Sequence, residues 1–182
     1  CFEQLGDAFH VFVLGQVNYP FQLAAKLGIE LVFYGENGEL EYAGDPKFVD
    51  RPYKPSEEWL TQHFKGTSFK NLLKYGLNNG YLNKNDFTEG DLTFYDSPDP
   101  KELKKNKIKG KYFFSYFKKW IPQENFYYCA ENTGFKANPI RTEGSYSKYS
   151  SLDDKFDGFH YYLRFIKFGL GRCVEEVSHE IR

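Results

Sequence analysis

Gly28-Ile29-Glu30-Leu31-Val32-Phe33-Tyr34-Gly35-Glu36-Asn37-Gly38 is the run that decides the fold class. Before it, Phe21, Ala24, Ala25 and Leu27 form an apolar stripe at helical spacing, with Pro20 suited to the first turn and Gly28 as the stop. The β-branched and aromatic residues from Ile29 to Tyr34 have strand length and composition. A helix, a glycine, a short apolar strand and a Gly-rich polar turn make up the repeating half of an open α/β sheet. The expectation is a central parallel strand over Ile29 to Tyr34. Ligands of such sheets sit just beyond the carboxyl ends of the strands, which is where Glu36 and Asn37 fall. Asn-Gly is also a favoured turn pair, so a plain solvent turn stays open beside the functional reading.

Composition narrows the rest. At 182 residues the chain has the length of one ordinary domain and can bury a core without metals or disulfides. Lys and Arg number 24 against 25 Asp and Glu, a balance unlike that of a dedicated nucleic-acid binder. Nineteen Phe, 15 Tyr and 2 Trp exclude a disordered chain. Cys1, Cys129 and Cys173 are odd in number and widely spaced, which outlines neither a disulfide framework nor a zinc ribbon. No apolar run approaches the ~18 residues of a spanning helix, and a reducing cytoplasm is the default compartment. The chain opens on Cys1, contains no Met and closes in a helical pattern at His179-Glu180-Ile181-Arg182, so it is expected to be an excerpt of a longer protein. Within it, residues 1–55 read as an αβ unit with an active-site loop, 56–110 as a helical insertion, and 111–182 as a strand followed by helices.

Between Glu41 and Pro55 the Gly, Pro and Asp content suggests a long loop. Ser56 is a good helix cap, and Phe69, Leu72, Leu73 and Leu77 repeat at helical spacing up to Asn78-Asn79-Gly80. The Lys-dense stretch Lys101, Lys104, Lys105, Lys107, Lys109 and Lys111 reads either as a solvated surface or as a patch for a phosphate-bearing ligand. A second strand is expected over Tyr112 to Phe117, then a helix opened by Pro122 and ended by Gly134.

The last third carries most of the chemistry. Asn138 to Tyr149 has no period but many hydrogen-bonding side chains: Arg141, Glu143, Tyr146 and Lys148 among them. Arg suits phosphates or a sugar carboxylate through forked hydrogen bonds, and Lys acts as a point charge. A helix is expected from near Ser151, with Phe156, Phe159, Leu163, Ile166 and Leu170 on one seam. Asp153, Asp157, His160, Arg164 and Lys167 form a second, polar seam. That seam can follow the helix dipole, gather a metal through Asp153, Asp157 and His160, or face a substrate cleft. No internal repeat, P-loop, dinucleotide fingerprint or nucleophile elbow is present.

The ordered blocks Pro122-Gln123-Glu124-Asn125, Glu131-Asn132-Thr133-Gly134-Phe135, Arg141 to Tyr149 and Leu152-Asp153-Asp154-Lys155 resemble the N-acetyl sugar amidotransferase family. The likeness continues through Asp157 to Tyr162, Phe165 to Arg172 and His179 to Arg182. It is also present earlier, at Tyr19-Pro20-Phe21 and Tyr34-Gly35-Glu36-Asn37-Gly38.

These are ATP-pyrophosphatase (PP-loop) enzymes of bacterial lipopolysaccharide and flagellin-glycan biosynthesis. The resemblance implies a partial Rossmann-like, adenine nucleotide alpha hydrolase-like parallel sheet with a helical C-terminal region. It implies ATP and Mg as cofactors, a sugar or nucleotide-sugar substrate, and a glutaminase subunit that supplies ammonia. Ammonia would displace AMP from an adenylated amide, turning an N-acetyl into an acetamidino group. Glu36, Asn37 and His160 are the catalytic candidates. Arg141, Glu143, Tyr146, Lys148, Asp153, Asp154 and Arg172 are the substrate-binding candidates. No residue is assigned to a metal, and neither nucleic acid nor a membrane span is expected. The family's Ser-Gly-Gly-x-Asp-Ser phosphate loop and its Cys-x-x-Cys element do not occur in these 182 residues. Two rivals remain: a non-catalytic, aromatic-rich interaction module, and a related PP-loop tRNA-modifying enzyme.

Overall fold

In the computed structural model the described residues are 1–35, 37–41, 44–58 and 67–181, the side chains of 40 and 41 excepted. Glu36 therefore lies outside the described residues, as do 59–66 of the expected helical segment. The fold is mixed α/β. The chain divides into two compact units: a sheet unit, His10–Lys118, and a helical unit made of Cys1–Phe9 with Lys119–Arg182. Among the described residues no helix is long and apolar enough to cross a membrane.

The sheet unit opens with α1, His10–Leu27. Its buried residues His10, Leu14, Val17, Asn18, Phe21 and Ala24 step by three and four along one face. Pro20 is an interior residue of this helix and not its first turn, so the helix begins ten residues earlier than expected. An interior proline removes the N–H that would bond the carbonyl four residues back, here Gln16. The Tyr34 hydroxyl donates to that carbonyl at 2.8 Å, which lets the helix run through the proline. Gly28, at φ 69°, ends the helix, and the Ile29 N–H returns to the Ala24 carbonyl at 2.9 Å.

Tyr34 belongs to β1, Val32–Tyr34. The next elements are β2, Tyr53–Pro55; α2, Phe69–Asn78; α3, Pro100–Lys105; and β3, Gly110–Phe113. The sheet order is β1-β3-β2. β1 and β3 are parallel, with Phe33 opposite Tyr112, whereas β2 and β3 are antiparallel, with Lys54 opposite Lys111. The sheet is thus mixed and not wholly parallel, and β1 lies at its edge, not its centre. The segment expected as a loop up to Pro55 supplies the antiparallel strand, where an edge position tolerates the proline. A Cβ at position 110 would overlap the Lys54 carbonyl oxygen, so the β2–β3 approach requires Gly110. The strand expected over 112–117 stops at Phe113 and turns into a single helical turn, Phe114–Phe117.

Val17, Phe21, Ala24, Val32, Leu103 and Ile108 form the core between α1, the sheet and α3. The same sheet face buries two lysines. Lys54 is 1% exposed and Lys111 5%, so Lys111 departs from the solvated reading of the lysine stretch. Glu39 meets Lys54 at 2.8 Å, and the Lys111 ammonium lies 5.2 Å above the Tyr34 ring. Burial pushes the Glu39 carboxyl up. The Lys54 hydrogen bond, the Asp45 N–H and the charges of Lys54 and Lys111 outweigh that and hold it below its ordinary value. On the opposite face Tyr53, Tyr112 and Phe33 form a ladder across all three strands, with ring centroids 5.0 and 5.6 Å apart.

A Glu39→Gln change removes the carboxylate that meets the buried Lys54 at 2.8 Å and is expected to cost about 3 kcal/mol in urea unfolding. Because the Glu39 carboxyl is lowered in the folded state, its contribution is complete above the ordinary glutamate range. It is lost as pH falls through the lowered value. The wild type should therefore lose stability in acid, and the variant should lose less over the same interval. Tyr34→Phe, which strips the Gln16 carbonyl of its donor, should cost about 1 kcal/mol.

Candidate functional site

The polar residues of the last third converge in the helical unit. Its elements are α4, Pro122–Asn132; α5, Asp157–Phe168; and α6, Arg172–Ile181. α5 begins at Asp157 and not near Ser151, because Ser151 holds φ at 52°, outside the helical region. Between α4 and α5 the chain folds on itself. Thr142 N–H donates to the Ser147 carbonyl at 3.1 Å and Asn138 N–H to the Lys148 carbonyl at 2.8 Å. Gly144, at φ 71°, makes the reversal.

The side chains of this loop divide between interior and solvent. Thr142, Ser145 and Ser147 are buried, while Arg141, Glu143 and Lys148 are exposed. The buried hydroxyls form a chain: Ser145 and Ser147 lie 3.0 Å apart, Ser147 and Ser150 2.6 Å, and Ser145 donates to Glu176 at 2.7 Å. Arg172 is the hub. Its Nε donates to Glu176 at 2.9 Å and its Nη2 to Ser151 Oγ at 2.8 Å. Its Nη1 lies 3.5 Å from Asp157, and its guanidinium sits 4.1 Å over the Tyr161 ring. Ser151 also donates to Asp157, and Arg164 forks onto Glu175, which closes α5 against α6.

Burial raises the Asp157 carboxyl above its ordinary value, with Arg172 and His160 opposing and Asp154 and Asp153 reinforcing the rise. Tyr146 donates to Glu180, and burial with that carboxylate pushes its phenol well above the usual range. Tyr149 donates to Gln123 at 3.2 Å and stacks on Phe126 at 4.7 Å.

The candidates therefore separate. Arg172 is an internal support, almost wholly buried, and not a surface contact. Asp154 caps the approach to α5 by accepting the Phe156 N–H at 2.7 Å, and Asp153 is exposed. Tyr146 is half-buried at the loop. Arg141, Glu143 and Lys148 form its exposed charged rim, and Glu143 lies against the first turn of α5 at Gly158. His160 pairs with Asp7 at 3.2 Å. Asn37 belongs to the sheet unit. It is buried, with its amide donating to the Val49 carbonyl at 2.9 Å and its oxygen accepting the Glu39 N–H at 3.0 Å. Sequence reasoning did not single out Asp7, Thr142, Ser145, Ser147 or Glu176. The alternation of small hydroxyls with charges along Arg141 to Lys148 was the available signal.

Among the described residues no three His, Cys, Asp or Glu side chains gather as a metal set. Asp157 is drawn to Arg172 and His160 to Asp7, so the seam of Asp153, Asp157 and His160 does not converge on one point. Lys54 and Arg172, both deeply buried, are each held by carboxylates. Neither of these two cations is therefore open to a phosphate. No protein-family model matches the chain, and no curated protein matches it.

Replacing Arg172 by Ala leaves Asp157 and Glu176 without their cation. It is expected to cost about 3 kcal/mol or more and to raise hydrogen exchange across 142–151. Lys148→Ala, at the exposed rim, should change stability by no more than ~0.5 kcal/mol. Equal exchange in both variants would contradict the division into support and rim.

Proposed function

We propose that this chain is part of an ATP-dependent amidotransferase. It converts a sugar N-acetyl group into an acetamidino group with ammonia from a glutaminase partner, in cytoplasmic steps of bacterial surface-glycan biosynthesis. The observation that carries the reading is that three of its resembling blocks, Arg141 to Tyr149, Asp157 to Tyr162 and Phe165 to Arg172, meet in one hydrogen-bonded assembly. That assembly holds a rim of Arg141, Glu143 and Lys148 out to solvent. The parallel pairing of β1 with β3 is in keeping with a portion of a Rossmann-like, adenine nucleotide alpha hydrolase-like sheet.

ATP, when bound to such an enzyme, supplies activation of the amide oxygen. The residues of this chain are assigned binding and orientation. Arg141 and Lys148 attract the phosphates or carboxylate of the sugar substrate, Glu143 accepts hydrogen bonds from its hydroxyls, and Tyr146 offers a ring face. His160 is the proton-handling candidate. Glu36 and Asn37 keep only the catalytic candidacy that the resemblance gives them.

Exposed rings favour the second reading, a docking module: Phe33, Phe114 and Phe117 lie together on the open sheet face. Release of AMP separates the two. A form of the protein that carries the phosphate loop should release AMP only with an N-acetyl sugar substrate and ammonium, and a glutaminase partner should let glutamine replace ammonium. The 182 residues alone should release none. In the active form Arg141→Ala should raise the KM for the sugar about 10-fold or more while largely sparing kcat, as expected for a lost charged hydrogen bond. Sugar-independent AMP release, or none, from the form with the loop would overturn the reading, as would robust release from the 182 residues.

A further inference from the structure

Segment Cys1–Phe9 lies along the polar seam of α5. Lys167 donates to the Leu5 carbonyl at 3.0 Å, and the Phe9 ring packs on the His160 imidazole with centroids 5.0 Å apart. Between these anchors the Asp7 side chain, 6% exposed, reaches His160 Nδ1 at 3.2 Å. The same Asp7 oxygen accepts the Phe9 N–H at 2.9 Å, a second contact that holds the carboxylate in place. An ionised carboxylate only accepts hydrogen bonds, so in the neutral ring the proton of this contact sits on Nδ1. The other nitrogen, Nε2, is then left with its lone pair. It has no hydrogen-bond partner among the described residues, and the side chain is 28% exposed.

A histidine that serves packing alone satisfies both nitrogens or turns one fully to water. Here one nitrogen is clamped by a buried acid and the other is presented, the arrangement by which proteins choose a tautomer. We propose that Asp7 and His160 form a carboxylate–imidazole pair in which Asp7 is a positioning residue and His160 Nε2 is the acceptor offered to the acetamido N–H of the sugar substrate. The substrate half of this assignment rests on the amidotransferase reading. The pair itself does not.

Nitrogen-resolved NMR of the imidazole in the neutral ring tests it. The wild type should carry its proton on Nδ1, the tautomer opposite to the one a free histidine side chain favours. Asp7→Ala should move the proton to Nε2. Asp7→Asn keeps an oxygen for both the Phe9 N–H and Nδ1, and should retain the wild-type tautomer. An unchanged amide spectrum outside Cys1–Phe9 and α5 would show that the variants fold. UDP-N-acetylglucosamine should then shift the Nε2 resonance, and UDP-glucose, which lacks the acetamido group, should not. A wild-type ring protonated on Nε2, or an Asp7→Ala ring still protonated on Nδ1, would overturn the pair. The right tautomer with no shift, or with equal shifts from both sugars, would overturn the substrate assignment. A selective shift without AMP release from any form of the protein would overturn the amidotransferase reading and leave the pair standing.

Discussion

Two lysines facing each other on the buried side of a three-stranded sheet are the constraint around which the sheet unit is built. Like charges in directly opposed strand positions repel, and burial removes the water that would screen them. Glu39 relieves the repulsion from one side, and the Tyr34 and Phe113 rings receive the Lys111 charge from the other. This arrangement ties together parts distant in sequence. Glu39 must stand where Asn37 and the Asp45 N–H hold it, β2 must return antiparallel to bring Lys54 alongside, and Tyr34 must lie beneath Lys111. The same Tyr34 satisfies the carbonyl orphaned by Pro20, so helix and sheet share one residue.

The helical unit solves a related problem with the opposite polarity. α5 turns its polar seam inward, because Asp7, Arg172 and Glu175 are there to meet His160, Asp157 and Arg164. Phe156, Phe159 and Ile166 of its apolar seam are left exposed. Hydrogen bonding therefore governs the interior of this unit more than apolar contact does. A polar interior of this kind holds only when nearly every member is satisfied. The serine chain from Ser145 to Ser150 pairs the buried hydroxyls of the loop, whose exposed residues carry the charges.

The helices of the last third were legible from their spacing and β1 from its β-branched and aromatic composition, but which face of α5 turns inward was not, because its apolar seam is the exposed one. The start of α1 was not, since a proline normally marks a first turn and the tyrosine that rescues Pro20 lies fourteen residues away in sequence. β2 was hidden by Pro52, Pro55 and Asp50, which read as a loop. Its pairing is a tertiary fact set by Gly110 and by Lys111 opposite Lys54. At the site, the rim charges Arg141, Glu143 and Lys148 could be named from their chemistry. The support beneath them could not, because small hydroxyls acquire meaning only when Arg172 and Glu176 arrive from a helix some thirty residues on. Arg172 itself looked like a ligand contact, since an arginine has the same identity at a surface and at a buried hub.

The chemical account turns on whether nitrogen enters a sugar amide. ¹⁵N-ammonium supplied with ATP, magnesium and an N-acetylated nucleotide sugar, to a form of the protein that carries the phosphate loop, puts that question to mass spectrometry of the recovered sugar. The account predicts that one labelled nitrogen replaces the acetamido oxygen, with the sugar skeleton and its own nitrogen retained. An unlabelled sugar recovered intact or merely deacetylated, under conditions in which the protein is folded and ATP is bound, would contradict it.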